Sequence, residues 1–179
     1  MPVITAILVI AVILVIGCIC ISNSLNQSLV KIDEAASGID VALTKRYDVL
    51  TKMIEVAKGY SKHEQETLFK TIELRKNMTM QEKSDANEAM GEAFSRINAL
   101  AENYPDLKAN TTFTTLQQSI SDVEEHLQAS RRLYNANVSA FNQKIVTFPI
   151  SFIANAKGLS KKDFFVADDV KREDVKINF

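Results

Sequence analysis

The side chains able to do chemistry are few and scattered along this 179-residue chain. There are two histidines, His63 and His126. A helical zinc or di-iron site places two ligands on one face, as in His-Glu-x-x-His or Glu-x-x-His. Neither motif is present: Tyr60 and Val123 stand three residues upstream of the two histidines. His63-Glu64-Gln65-Glu66 could touch a metal. Acids in a first helical turn also suit the helix dipole, and we read the stretch that way. Cys18 and Cys20 sit two apart, on different sides of a helix, so they do not pair with each other. The five glycines are too dispersed to cradle a phosphate, and no Gly-x-Ser-x-Gly elbow occurs. The expectation is a protein without enzymatic activity, with no catalytic residue, cofactor or metal.

Two basic pairs remain, Lys45-Arg46 and Arg131-Arg132. They are the candidate site for an anionic ligand or partner. If the pairs lie on the first and third helices of an up-down-up bundle, those helices run parallel and residue 46 lies level with about residue 132. The four side chains would then form one band at mid-height. The alternative is that they make salt bridges to Asp48, Glu73, Asp122 or Glu124, because the flanks of helix seams are normally charged.

The elements that position these residues are legible from periodicity. Val3 to Ile21 is apolar except for Thr5 and Gly17. As a helix it measures roughly 28 Å, about the thickness of a hydrocarbon core. No Lys or Arg precedes it, and the run is longer than the core of a signal peptide, so an uncleaved span is expected. Val15-Ile16-Gly17-Cys18 loosely matches a lipobox, but Ile19-Cys20-Ile21 carries the apolar run past that cysteine. After a polar neck, Leu25, Leu29, Ile32, Ala36, Ile39, Leu43, Leu50 and Ala57 mark a heptad seam, predicting helix 1 over 23–58. Ser61-Lys62-His63-Glu64 and Thr79-Met80-Gln81-Glu82 both read as capping boxes, the second as a kink or restart within helix 2. Asn103-Tyr104-Pro105 ends helix 2. Helix 3 begins near Asn110 or Thr111, with a seam from Phe113 through Leu116, Ile120, Val123, Leu127, Ser130, Tyr134, Val138, Phe141 and Ile145 to Phe148. Pro149 opens a short fourth helix closed by Gly158, and Phe164-Phe165 folds back onto the bundle.

The fold class is therefore all-α: an N-terminal transmembrane helix over 1–22, then an up-and-down bundle of three long helices plus a short fourth over 23–166, then a charged tail over 167–179. Lys plus Arg number 21 and Asp plus Glu 22, so there is no net field to hold nucleic acid. The implied partners are the lipid bilayer and another membrane or envelope protein, with the oligomeric state open. Only Lys31 lies close behind the span, and nothing basic precedes it, which favours a cytoplasmic bundle and a single-pass anchor in the cell membrane.

Several stretches together resemble the LemA family. They are Asp33-Glu34-Ala35, Arg46-Tyr47-Asp48, Lys58-Gly59-Tyr60, Tyr104-Pro105-Asp106-Leu107-Lys108-Ala109-Asn110, Arg131-Arg132, Tyr134-Asn135 and Phe148-Pro149, with Phe164-Phe165 near the end. The resemblance spans nearly the whole chain. It implies a bacterial, membrane-anchored helical bundle and carries no catalytic residue with it. Where the family often has a proline in helix 1, within a Leu-Ile-Pro-Asn-Leu type stretch, this chain has Leu50-Thr51-Lys52-Met53.

Overall fold

A computed structural model describes residues 2–60 and 78–165. The described residues form five helices and no strands: α1 (Pro2–Lys58), α2 (Met80–Asn103), α3 (Pro105–Lys108), α4 (Thr111–Val146) and α5 (Ile150–Ala156). The capping box at Ser61, His63, and the charged tail lie outside the described residues.

The neck does not interrupt the first helix. The apolar segment and helix 1 are a single helix of 57 residues. Nothing between Ser22 and Ser28 is a proline or glycine, so no backbone hydrogen bond has to be given up there. The helix also continues through Leu50-Thr51-Lys52-Met53, where no proline stands to interrupt it. Its apolar part is exposed on every side, from Val3 at 68% to Ile16 at 55%. It is long and apolar enough to cross a membrane.

The second capping box is a helix start, not a kink. Thr79 Oγ1 accepts from the Glu82 amide at 3.2 Å, and Glu82 Oε2 accepts from the Thr79 amide at 2.7 Å. Asn110 caps α4 by accepting from the Phe113 amide at 3.1 Å. Pro105 occupies the first turn of α3, a short helix that periodicity had not indicated, and Leu107 on it is fully buried. Pro149 is the N-cap of α5, and Gly158 follows that helix with φ at +67°, a conformation that favours glycine.

The described chain divides into two compact units. In one, residues 38–131 pack with Phe165. Ile39, Leu43, Leu50 and Met53 of α1, Met90 and Ile97 of α2, and Phe113 and Ile120 of α4 are buried there. In this unit α2 runs parallel to α1, since Asp40 pairs with Lys83 (2.6 Å) and Arg46 reaches Asn87 (3.1 Å). Here α4 runs antiparallel to α1, since Arg46 pairs with Glu124 (2.6 Å) and Tyr60 accepts from Asn110 (2.9 Å). The parallel alignment of the first and third helices is thus corrected. Within this unit α2 travels in the same direction as α1, and α4 returns against both.

In the other unit, residues 1–37 pack with 132–164. Its core is Leu25, Ile32 and Ala35 of α1 with Tyr134, Val138, Phe141 and Ile145 of α4 and Ala154 of α5. The antiparallel order recurs: Asn137 donates to the Lys31 carbonyl at 3.0 Å and Lys144 to Ser28 Oγ at 2.9 Å. Leu29 and Ala36 are only half-buried, whereas Ala35 is buried. A straight helix drifts about 20° per heptad, which brings the neighbouring position into the seam. Phe148, expected as the last seam residue, is 84% exposed because α4 has already ended at Val146.

Asn142 clamps the strap that follows α5. Its Oδ1 accepts from the Lys162 amide at 2.8 Å and its Nδ2 donates to the Lys162 carbonyl at 2.9 Å. Tyr134 donates to the Asp163 carbonyl at 2.9 Å. Burial, then the carboxylates of Asp163 and Asp33, push its hydroxyl pKa above 10.0. A raised folded-state pKa means the folded form holds the proton more tightly. The associated stability is complete below pH 10 and is lost as pH climbs through the raised value. Tyr134→Phe should therefore cost about 1 kcal/mol near neutrality through the lost hydrogen bond. In urea melts of the detergent-solubilised chain, the gap to wild type should narrow above pH 10. A constant gap would show that this hydroxyl has no proton-linked share.

Candidate functional site

The alternating 4 and 3 spacing of the α1 seam continues past Leu43 onto Arg46, then Leu50, Met53 and Ala57. Arg46 thus occupies a core position, and the side chain is buried. A buried charge must be paired and hydrogen-bonded to be tolerated. Arg46 Nη1 donates to the Asn87 carbonyl at 3.1 Å and to Asn87 Oδ1. Nη2 donates to Glu124 Oε1 at 2.6 Å. Asn87 is itself buried on α2, beside Ser84 and Met90. The Glu124 side chain stays 38% exposed, so water still screens the pair. Gly91, one turn beyond Asn87, lies beside the guanidinium, where an added Cβ would meet Nη2 at 3.7 Å, an ordinary contact that the site would accept.

Beside Arg46 opens a cavity of about 630 Å³, lined among others by Arg46, Arg96 and Arg131 and by Glu88, Glu92 and Glu124. The charges balance. Arg96 pairs with Glu92 at 3.5 Å, as Arg46 does with Glu124. The guanidinium of Arg131 lies over the Phe165 ring, 4.6 Å from its centre, and Phe165 is buried. So Phe165 does fold back, while Phe164 remains 46% exposed.

Of the four basic candidates, Arg46 and Arg131 line this cavity, and Lys45 and Arg132 do not. Both of the latter are exposed. Neighbours on a helix point about 100° apart, so a Lys-Arg or Arg-Arg pair cannot turn both side chains into one groove. Glu124 was among the salt-bridge partners anticipated from the sequence. Asn87 was not, and the only signal for it was its place one turn before Gly91 in a helix whose other inward residues are small or apolar. His126 is exposed on α4, and among the described residues no three His, Cys, Asp or Glu cluster as a metal site would require.

The arrangement predicts a graded response to substitution. Arg46→Ala removes the packed stem and strands Asn87, and should lower stability by about 2–3 kcal/mol, below the full cost of breaking a buried pair because Glu124 can rehydrate. Arg46→Met strands Asn87 in the same way but retains the stem in an apolar seam, so it should lose about 1 kcal/mol less than Arg46→Ala. Equal losses for the two variants in chemical denaturation would mean that the charge, not the packing, sets the energy.

Comparison with known proteins agrees with the family resemblance. The LemA family profile matches residues 35–179. Protein LemA of Metamycoplasma hominis is 32% identical over 162 residues, covering 86% of this chain and 72% of that protein. Magnetosome protein MamQ of Magnetospirillum gryphiswaldense is 26% identical over 80 residues, 45% of this chain and 29% of its own length. Magnetosome protein MamQ 2 of Paramagnetospirillum magneticum is 28% identical over the same shares. With the family profile running from the second half of α1 past the end of the described residues, and Protein LemA aligned over most of both chains, this chain belongs to the LemA family.

Proposed function

We propose that this protein is a single-pass, membrane-anchored helical bundle without enzymatic activity, serving as a scaffold or interaction protein of the bacterial cell envelope, with its bundle on the cytoplasmic side. The observation that carries the reading is the continuity of α1. One helix is apolar all round near its start and supplies core residues from Leu25 to Ala57. An anchor continuous with the core holds the domain at the bilayer with no flexible linker. The charged groups of the cavity are spent largely on one another, which suits a structural role better than turnover. An alternative is a binding module for an anionic ligand through Lys45, Arg46, Arg131 and Arg132, favoured by the shared cavity of Arg46 and Arg131.

Titration of phosphate, pyrophosphate and citrate onto the full chain in lipid nanodiscs separates the two. A scaffold keeps its melting temperature. A ligand present at about a hundred times its Kd would add roughly 2.7 kcal/mol. A saturable rise that disappears in Arg131→Ala would establish the binding module instead. Sidedness is tested with a cysteine at exposed Ala140, in a chain whose Cys18 and Cys20 are replaced by alanine. The expected outcome in whole cells is no labelling by an impermeant maleimide, with full labelling after lysis. Labelling of intact cells would put the bundle outside.

A further inference from the structure

The strongest unassigned feature is the corner between α4 and α5. Residues 145–156 carry no charged side chain. Within them Val146, Phe148 and Phe152 are 59%, 84% and 77% exposed. Exposed large apolar groups clustered in this way mark a surface meant for something other than water.

Neighbouring contacts fix where the corner lies along α1. Lys144, just before it, donates to Ser28 Oγ at 2.9 Å and Ser24 Oγ at 3.4 Å. Lys157, just after it, donates to Asn26 Oδ1 at 3.2 Å. Ser24, Asn26 and Ser28 follow the end of the apolar segment at Ile21 by only a few residues, roughly 5–10 Å along the helix. That is the depth of a headgroup layer, since the hydrocarbon core is about 30 Å thick within a bilayer of about 40–45 Å. In this unit α4 runs toward the apolar segment, from the Asn137–Lys31 contact to the Lys144–Ser28 contact. The uncharged corner therefore continues from the two lysines toward the hydrocarbon. Ile153 bears this out: with Leu14, Val15, Cys18, Ile19 and Ser22 it lines an open groove of about 480 Å³.

We propose that this corner is a second, shallow membrane contact, in which Phe148 and Phe152 enter the boundary between headgroups and acyl chains and Lys144 and Lys157 mark the headgroup level. The inference rests on the reading of α1 as a membrane span. The polar backbone of the turn is compatible with such a place. The Thr147, Ser151 and Phe152 amides donate to the Lys144, Thr147 and Pro149 carbonyls at 3.1, 2.8 and 3.3 Å, and Pro149 has no amide hydrogen to satisfy. Two attachments, the span and the corner, hold this unit against the bilayer.

The chain contains no tryptophan, so single-tryptophan variants report cleanly. Phe148→Trp, Phe152→Trp, Ile10→Trp and Leu133→Trp are made in the full chain and placed in phosphatidylcholine–phosphatidylglycerol nanodiscs. Some lipids are brominated near the headgroup and others near the chain end. The tryptophans at 148 and 152 should emit to the blue and lose about half their intensity to shallow bromine, as expected for side chains buried ~5–10 Å into the boundary. The one at 133, exposed on α4, should be unquenched. The one at 10 should be quenched by deep bromine, and its failure to quench would overturn the span itself. Quenching at 10 without quenching at 148 and 152 would overturn the corner alone. A blue shift at 148 and 152 without bromine quenching would mean that protein, such as a second copy, covers them, and would equally overturn the proposal.

Discussion

The backbone of α1 satisfies its own hydrogen bonds along its whole length, and the described structure follows from how one helix does so beneath two different side-chain patterns. In hydrocarbon an unpaired amide or carbonyl costs several kcal/mol, so a spanning segment has to be helical throughout. In the bundle the same geometry is kept, and only the side-chain pattern changes. Before Ile21 nearly every position is apolar, and after Leu25 only one face is. Because the neck contains no residue that breaks a helix, the change of pattern happens without a change of backbone. The apolar segment and the first core helix are then one continuous helix.

Arg46 shows what a charge in a seam can do. An apolar side chain there would tolerate sliding of α1 against its neighbours, since one Leu or Met resembles another. A guanidinium that needs both the Asn87 and the Glu124 oxygens does not. Sliding by a heptad would leave it among apolar side chains, at a cost of several kcal/mol. The pair is partly open to water through Glu124, so its contribution to net stability is modest, and its effect is chiefly on which arrangement of α1, α2 and α4 is accepted. Lys83 with Asp40 repeats the theme two turns away, nearer the surface.

The corner between α4 and α5 obeys a different rule. Its ends are tied to the neck by lysines bonding to serine and asparagine, and the strap that follows is tied by Asn142. These polar ties leave Phe148 and Phe152 pointing away from the unit's own core. In a bilayer such rings cost nothing in lost hydrophobic burial, whereas in water each large apolar side chain left exposed forgoes about 1.5–3 kcal/mol. The location of the rings beside the end of the apolar segment is what makes their exposure intelligible.

The helical class, the apolar segment, the ends of most helices and most of the seams were legible in the order of residues. These depend on local causes: Thr79 and Glu82 cap one another within one turn, Pro105 terminates α2, Asn110 starts α4, and heptad spacing marks the buried faces. The register of α1 already reached Arg46, so its burial was readable from spacing alone, although a charge at that place does not look like core. Direction and pairing came from packing between distant parts of the chain. That α2 follows α1 and α4 opposes it depends on contacts such as Asp40 with Lys83 and Tyr60 with Asn110, tens of residues apart. Periodicity is the same whichever way a helix points, so it cannot distinguish the two. For the same reason it could not tell that Arg131 would join Arg46 at one cavity while Lys45 and Arg132 face solvent, or that the seam of α4 would stop short of Phe148.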